Sequence, residues 1–122
     1  MDIGCDHGKV SVHLAKQGAR VYAVDISAPS LEKARKLAQN EGVQEKIDFY
    51  CSDGLENITD KNIDCVIIAG MGWRTIAAII ENNYEFVKKI DRLIIQPMDS
   101  IPEMRIYLID NSFEITNEKL VW

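Results

Sequence analysis

The sequence predicts an α/β domain built on a doubly wound, mostly parallel sheet. Three observations carry that prediction. Short β-branched apolar runs alternate with helical patterns, which is the signature of consecutive βαβ units. A glycine turn, Gly4 to Gly8, joins the end of a first run to a helix. Asp25 then ends the second run, close to the interval of about twenty residues at which such sheets place an acidic partner for the turn.

In chain order, Asp2-Ile3 reads as the end of a first strand, and later strands are expected over 20–25, 47–51, 63–69 and 92–96. The run over 63–69 is nearly continuously apolar, as in a central strand covered on both faces. Pro29 stands near the start of a helix whose Leu31, Ala34 and Ala38 fall on one stripe, with Gly42 as its left-handed stop. Ser100 and Glu103 have the spacing of a capping box, and Ile101, Met104 and Leu108 are spaced to face the sheet. Only Met1 to Ile3 precede the first turn, although strands average about five to six residues. Phe113, Ile115, Leu120, Val121 and Trp122 form a strand-like apolar end without a partner. A single domain cut from a longer protein at both ends is therefore expected.

The chain has 122 residues and is 47% apolar, enough for one hydrophobic core and not two. Its formal charge of -5 lacks the footprint of a self-sufficient nucleic-acid binder, so any grip on nucleic acid must be local or supplied elsewhere. Cys5, Cys51 and Cys65 never form a Cys-x-x-Cys pair, which reads as reduced thiols in a cytoplasmic protein and makes no metal site. No apolar run approaches the roughly 18 residues of a membrane span, and no signal-peptide pattern opens the chain.

The chemistry gathers at the loops that follow the strands. Asp2-Ile3-Gly4-Cys5-Asp6-His7-Gly8 would let backbone N–H groups and a helix N-terminus approach a ligand closely. Asp25 can accept from the two hydroxyls of a ribose. The loop lacks the Gly-x-Gly-x-x-Gly form that cradles a pyrophosphate, and Asp2 and Asp6 suit a cation, so S-adenosylmethionine fits better than a dinucleotide. A turn that merely packs a helix on the sheet, with Asp6 as its N-cap, is the competing reading. Asp53, Gly54 and Leu55 could frame an adenine, with Asp53 accepting from the exocyclic amine and Leu55 on a ring face, unless Asp-Gly serves only turn geometry. Ala69 and Gly70 would close the cofactor site. Met71, Gly72 and Trp73 would admit a flat substrate, or else Met71 and Trp73 pack under the next helix. Gln96 could read a base edge beside Pro97, which otherwise stiffens a turn.

Taken together these loops resemble class I S-adenosylmethionine-dependent methyltransferases. Asp2-Ile3-Gly4-Cys5-Asp6-His7, Ser52-Asp53-Gly54-Leu55-Glu56, Ile68-Ala69-Gly70-Met71-Gly72 and Ile95-Gln96-Pro97 look more narrowly like the bacterial tRNA (adenine-22, N1) methyltransferase family, often called TrmK. The resemblance spans almost the whole chain. It implies a Rossmann-like fold, S-adenosylmethionine as cofactor and tRNA as partner of the full-length protein. It also implies a helix before the first strand and a helical C-terminal extension, so the chain is expected to be a fragment lacking both. The family usually has Ala, Gly and often Asn where Gly8, Trp73 and Met98 stand here, which leaves the target position open.

The loop has no Asn/Asp-Pro-Pro-aromatic motif of the kind that holds an exocyclic nitrogen, which favours a ring nitrogen such as adenine N1. After transfer, Asp6 or His7 would take a proton from the methylated, cationic base. His13 reads as a helix-surface residue. Two other readings stand beside this one: a small-molecule methyltransferase, and a non-catalytic nucleotide-binding domain.

Overall fold

The structure is a computed structural model and describes residues 1–56, 58 and 62–120. Five parallel strands form one sheet: β1 (Asp2–Ile3), β2 (Val21–Asp25), β3 (Ile47–Cys51), β4 (Cys65–Met71) and β5 (Arg92–Pro97). Their order is β3-β2-β1-β4-β5, so the winding reverses between β1 and β4. The carboxyl ends of those two strands define the switch point where such sheets open a crevice. The helices are α1 (Lys9–Lys16), α2 (Ala28–Asn40), α3 (Trp73–Asn82), α4 (Tyr84–Lys89) and α5 (Ile101–Asp110), with a 3-10 turn at Gln44–Lys46.

The expected strands are all present, with shifts of one or two residues at their ends. The fourth begins at Cys65 rather than Ile63 and runs on to Met71, because its pairing with β5 continues to Met71↔Pro97. Helix α2 starts at Ala28 with Pro29 in its first turn. Ser27 Oγ accepts from Ser30 N–H (3.2 Å), a cap that spares one orphan amide.

Alternation along the strands divides the core into two layers. On one face Ile3, Val24, Val66 and Ile68 meet Ile76, Ile80, Val87, Met104 and Leu108 from α3, α4 and α5. On the other, Val21, Ala23 and Ile47 meet Val12, Ala15, Leu31 and Ala38 from α1 and α2. The two faces are not equally covered. Along β4, Val66 and Ile68 are fully buried, whereas Ile67 and Ala69 on the opposite face are only half-buried. Ile94, paired with Ile67, is 44% exposed. The expected two-sided cover of this strand therefore holds on one side only, since α1 and α2 lie over β1, β2 and β3.

Two further expectations are corrected. Ser100 does not make a capping box: it sits in the left-handed region (φ 48°, ψ 49°), and a box requires an extended N-cap. Met104 and Leu108 are buried as expected, but Ile101 is exposed. At the chain end, residues 113–120 form no strand, and Val121 and Trp122 lie outside the described residues. Phe113 N–H closes α5 on the Leu108 carbonyl, and Phe113 and Ile115 pack against the larger core layer, so their apolarity serves packing.

Ile68 is buried on β4 within that layer, so Ile68→Ala is expected to destabilise the domain by about 2–5 kcal/mol through lost transfer energy and the cavity left behind. Urea unfolding checks this, and an unchanged midpoint would contradict the packing described.

Candidate functional site

A crevice of about 660 Å³ opens beyond the carboxyl ends of β1, β2, β3 and β4, within the size range of small-molecule sites. Its front wall is the turn after β1. The N–H groups of Gly4 and Cys5 both donate to the Val24 carbonyl (2.8 and 2.9 Å), which ties the turn to β2. Gly4 has φ +73°, which disfavours any larger residue there, and a Cβ would also have to displace the flexible end of Met71.

Asp25 meets this turn directly. Its Oδ2 accepts from Asp6 N–H (2.9 Å) and its Oδ1 from Ser27 N–H (2.9 Å). Each oxygen keeps lone-pair capacity toward the crevice, which Asp25 lines. Asp6 is itself left-handed (φ 51°), the conformation that turns its N–H onto the carboxylate. The third wall comes from Ser52, Asp53, Gly54, Leu55 and Glu56, anchored by Ser52 N–H to the Asp25 carbonyl (3.0 Å). Ala69, Gly70 and Met71 close the fourth side.

Among the described residues, the lining carries Asp25, Asp53 and Glu56 and no Lys or Arg. Such a field favours a cation over a polyphosphate. A second, smaller cavity of about 460 Å³ shares Ile26, Ser52, Asp53 and Glu56 with it and extends the same site past Asp53.

The expected residues are not all in the crevice wall. Asp25, Gly4, Asp53, Gly54, Leu55, Ala69, Gly70 and Met71 line it. Leu55, however, is fully buried in the core; the apolar side chain bared beside Asp25 is Ile26, 69% exposed. Ile26 was missed, although an apolar residue directly after a strand-closing acid was the available signal. Helix α3 adds Thr75, Ala78 and Ile79, which no sequence pattern singled out.

Asp2 is 4% exposed and points to the α1 side, where its Oδ2 accepts from Ser11 Oγ (2.6 Å). Gly8 packs α1 against α2, since a Cβ there would lie 2.8 Å from Ala34 Cβ. Asp6 and His7 stand outside the lining with exposed side chains, Asp6 Oδ1 lying 3.5 Å from His7 Nε2. Gly72, Trp73, Gln96 and Pro97 also lie outside the lining, at the loops next to it. Trp73 is half-buried and packs against the core, with the Arg74 guanidinium 5.5 Å from its ring centroid. Gln96 Oε1 accepts from Gly70 N–H (2.9 Å) and so is already engaged within the protein.

Burial, reinforced by the nearby carboxylates of Asp2, Asp25 and Asp6, pushes the Cys5 thiol up to about 12, so no thiolate is available there at neutral pH. All three cysteines are free. Among the described residues, no cluster of His, Cys, Asp and Glu could hold a metal ion, and no helix is long and apolar enough to cross a membrane.

A parallel sheet wound in this order, with an acidic crevice at its switch point and a carboxylate on the glycine turn, defines a nucleoside-ligand class of doubly wound α/β domain. The chain belongs to the methyltransferase domain family, whose model matches residues 1–122. It is 37% identical, over 98% of its length, to a Mycoplasma genitalium protein provisionally named a tRNA methyltransferase. It is 28% identical over 98% of its length to the tRNA (adenine(22)-N(1))-methyltransferase of Bacillus subtilis. It spans about half of each, 54% and 51%. The TrmK structure of M. capricolum, in complex with S-adenosyl-homocysteine, superposes with a TM-score of 0.85 at 29% identity. That match covers 99% of this chain and 54% of the other.

Desolvation raises the Asp2 carboxyl above its ordinary range, against the opposing pull of the Ser11 hydroxyl and the chain's terminal ammonium. A raised folded value means that the native state binds the proton more tightly than the unfolded chain. Stability therefore falls as pH rises from the ordinary carboxyl range through the raised value. Asp2→Asn keeps an acceptor for Ser11 and does not titrate, so its stability advantage over the parent is expected to grow across that window. Urea midpoints measured against pH check this, and parallel curves would contradict it.

Proposed function

We propose that this chain is the S-adenosylmethionine-binding catalytic domain of a methyltransferase that transfers a methyl group to N1 of an adenine in tRNA. The observation that carries the reading is the Asp25 carboxylate bound to the Asp6 amide at the mouth of a crevice whose charged lining, among the described residues, is acidic. Asp25 holds the ribose hydroxyls of the cofactor, Asp53 its exocyclic amine, and Ile26 and Ile79 offer apolar surface to its adenine. Gly4, Ala69 and Gly70 admit the remainder next to backbone. When bound, S-adenosylmethionine supplies an electrophilic methyl group on a sulfonium.

The acceptor nitrogen needs no prior deprotonation, because adenine N1 carries an in-plane lone pair. It lies on the pairing edge, so the base has to leave its stack before it can enter the site. Met71, Gly72, Trp73, Gln96 and Pro97 form the acceptor side. Holding nucleophile and methyl about 3–3.5 Å apart and in line is worth roughly 7–11 kcal/mol of the barrier. Asp6 or His7, both exposed, takes up the proton that the cationic product sheds.

Contacts to tRNA phosphates fall to Arg74 and Lys9, with Lys16 and Arg105 released from their exposed pairs with Glu41 and Glu118. The chain spans about half the length of these relatives, and the resemblance to the TrmK family implies a C-terminal helical extension that helps hold the tRNA. The reduced cysteines fit a cytoplasmic setting.

Two measurements test the reading. Asp25→Ala is expected to weaken S-adenosylhomocysteine binding by about 1.5–3 kcal/mol through lost charge-assisted hydrogen bonds, read by calorimetry. Undiminished affinity would remove the ribose assignment. The full-length protein is expected to methylate unmodified tRNA, with the base mapped to N1-methyladenine. Activity on a small metabolite with none on tRNA would transfer the reading to that substrate class.

A further inference from the structure

The carboxyl ends of β4 and β5 and the residues just after them are stitched together at three successive points. Pairing between the two strands shifts at Gly70: Ala69 opposes Gln96 and Met71 opposes Pro97, so Gly70 is an extra residue with φ +76°. A bulge takes the extra residue's N–H out of the ladder. Gln96 Oε1 accepts that N–H at 2.9 Å. Next, Met98 N–H donates to the Met71 carbonyl at 2.8 Å. Finally, Asp99 Oδ1 accepts from Trp73 N–H, the first residue of α3, at 3.0 Å.

The third contact is the unusual one. Gly72 is the N-cap of α3 and has no side chain with which to cap it. A Cβ built on Gly72 would lie 3.4 Å from Asp99 Oδ2, so the carboxylate fills the space that an N-cap side chain would enter. Its charge also faces the positive end of the helix. The helix that follows Asp99 in sequence, α5, is meanwhile left without a side-chain cap, its Ser100 held in the left-handed region. The β5–α5 loop thus turns its acid away from its own helix and onto the neighbouring one.

We propose that Asp99 is a positioning residue for the methyl acceptor: by capping α3 from the adjacent loop, it fixes Gly70–Trp73 in the geometry that presents the acceptor base in line with the methyl group. This rests on the reading of Met71–Trp73 as the acceptor side. Because Asp99 is absent from the crevice lining, its loss acts on alignment and leaves the cofactor's own contacts in place.

In the full-length protein, Asp99→Ala is expected to lower kcat for methyl transfer to tRNA by about tenfold or more, while S-adenosylhomocysteine affinity stays within about twofold. Asp99→Asn retains an acceptor oxygen and is expected to restore most of the rate. An unchanged kcat in Asp99→Ala, an equal loss of cofactor affinity, or no rescue by Asn would overturn the proposal. Hydrogen exchange at the Trp73 amide provides a readout separate from catalysis, expected to quicken in Asp99→Ala and to stay slow in Asp99→Asn. If the parent methylates no tRNA, the functional reading falls, whereas unchanged exchange in Asp99→Ala overturns the loop-fixing role on its own. Should Asp99→Ala fold poorly, Asp99→Ser keeps a small polar side chain too short to reach the Trp73 amide and is expected to split kcat from cofactor affinity in the same way; no split would overturn the proposal.

Discussion

The site depends on one carboxylate that two strands' loops share. Asp25 closes β2, yet its Oδ2 is bound by the amide of Asp6 in the loop of β1, and its Oδ1 by the amide of Ser27 at the start of α2. Hydrogen bonds to an ionised acceptor are about twice as strong as neutral ones, and two of them fix the carboxylate in position and orientation. Asp6 adopts φ 51° to make its bond, a conformation that an L residue reaches at some cost and keeps only when its surroundings hold it there. The front turn, the Asp25 side of the crevice and the start of α2 are therefore a single mechanical unit. A disturbance at any one of them reaches the other two.

A comparable economy operates across the switch point. The bulge at Gly70 widens the end of β4 and bares a backbone amide, and side chains from the β5 loop satisfy that amide and the first amide of α3. The crevice is consequently bounded on one side by a carboxylate held by backbone and on the other by backbone held by side-chain oxygens. Neither boundary relies on long, freely rotating side chains, which keeps the entropy cost of ordering a ligand between them low.

Much of this was legible in the sequence, for identifiable reasons. The strands were readable because parallel strands are short β-branched runs, and the strand over 47–51 was placed to the residue. Leu31, Ala34 and Ala38 declared the buried face of α2 through their spacing alone. The spacing of Asp25 from the glycine turn foretold a contact that the structure contains. What escaped were features set by tertiary contact. Ser100 and Glu103 have the local spacing of a capping box, but the backbone at Ser100 follows Asp99 toward α3 and forfeits it. Gln96 looked free to read a base because nothing local engages it; its partner, Gly70, lies on a different strand. Asp2 looked like a ligand-facing acid, yet the period of two along β1 sends it to the opposite face from Ile3, onto Ser11. Ile26 was overlooked because an exposed isoleucine carries no motif.

The distribution of charge bears on how an acidic chain can serve a polyanionic substrate in the proposed function. The acids of the crevice, Asp25, Asp53 and Glu56, lie where a sulfonium and an adenine would enter and where a phosphate would be repelled. Among the described residues, the cations lie outside it. Arg74 lies over Trp73 at the start of α3, and Lys16 and Arg105 sit in exposed pairs that solvent screens and that yield readily to a phosphate. Of the nineteen acidic side chains behind the net charge of -5, only Asp25, Asp53 and Glu56 line the crevice, where in the proposed function only an extruded base would enter. In the proposed function, the same acidity that would repel the RNA backbone from the crevice would favour the cation beside which that base would come to rest.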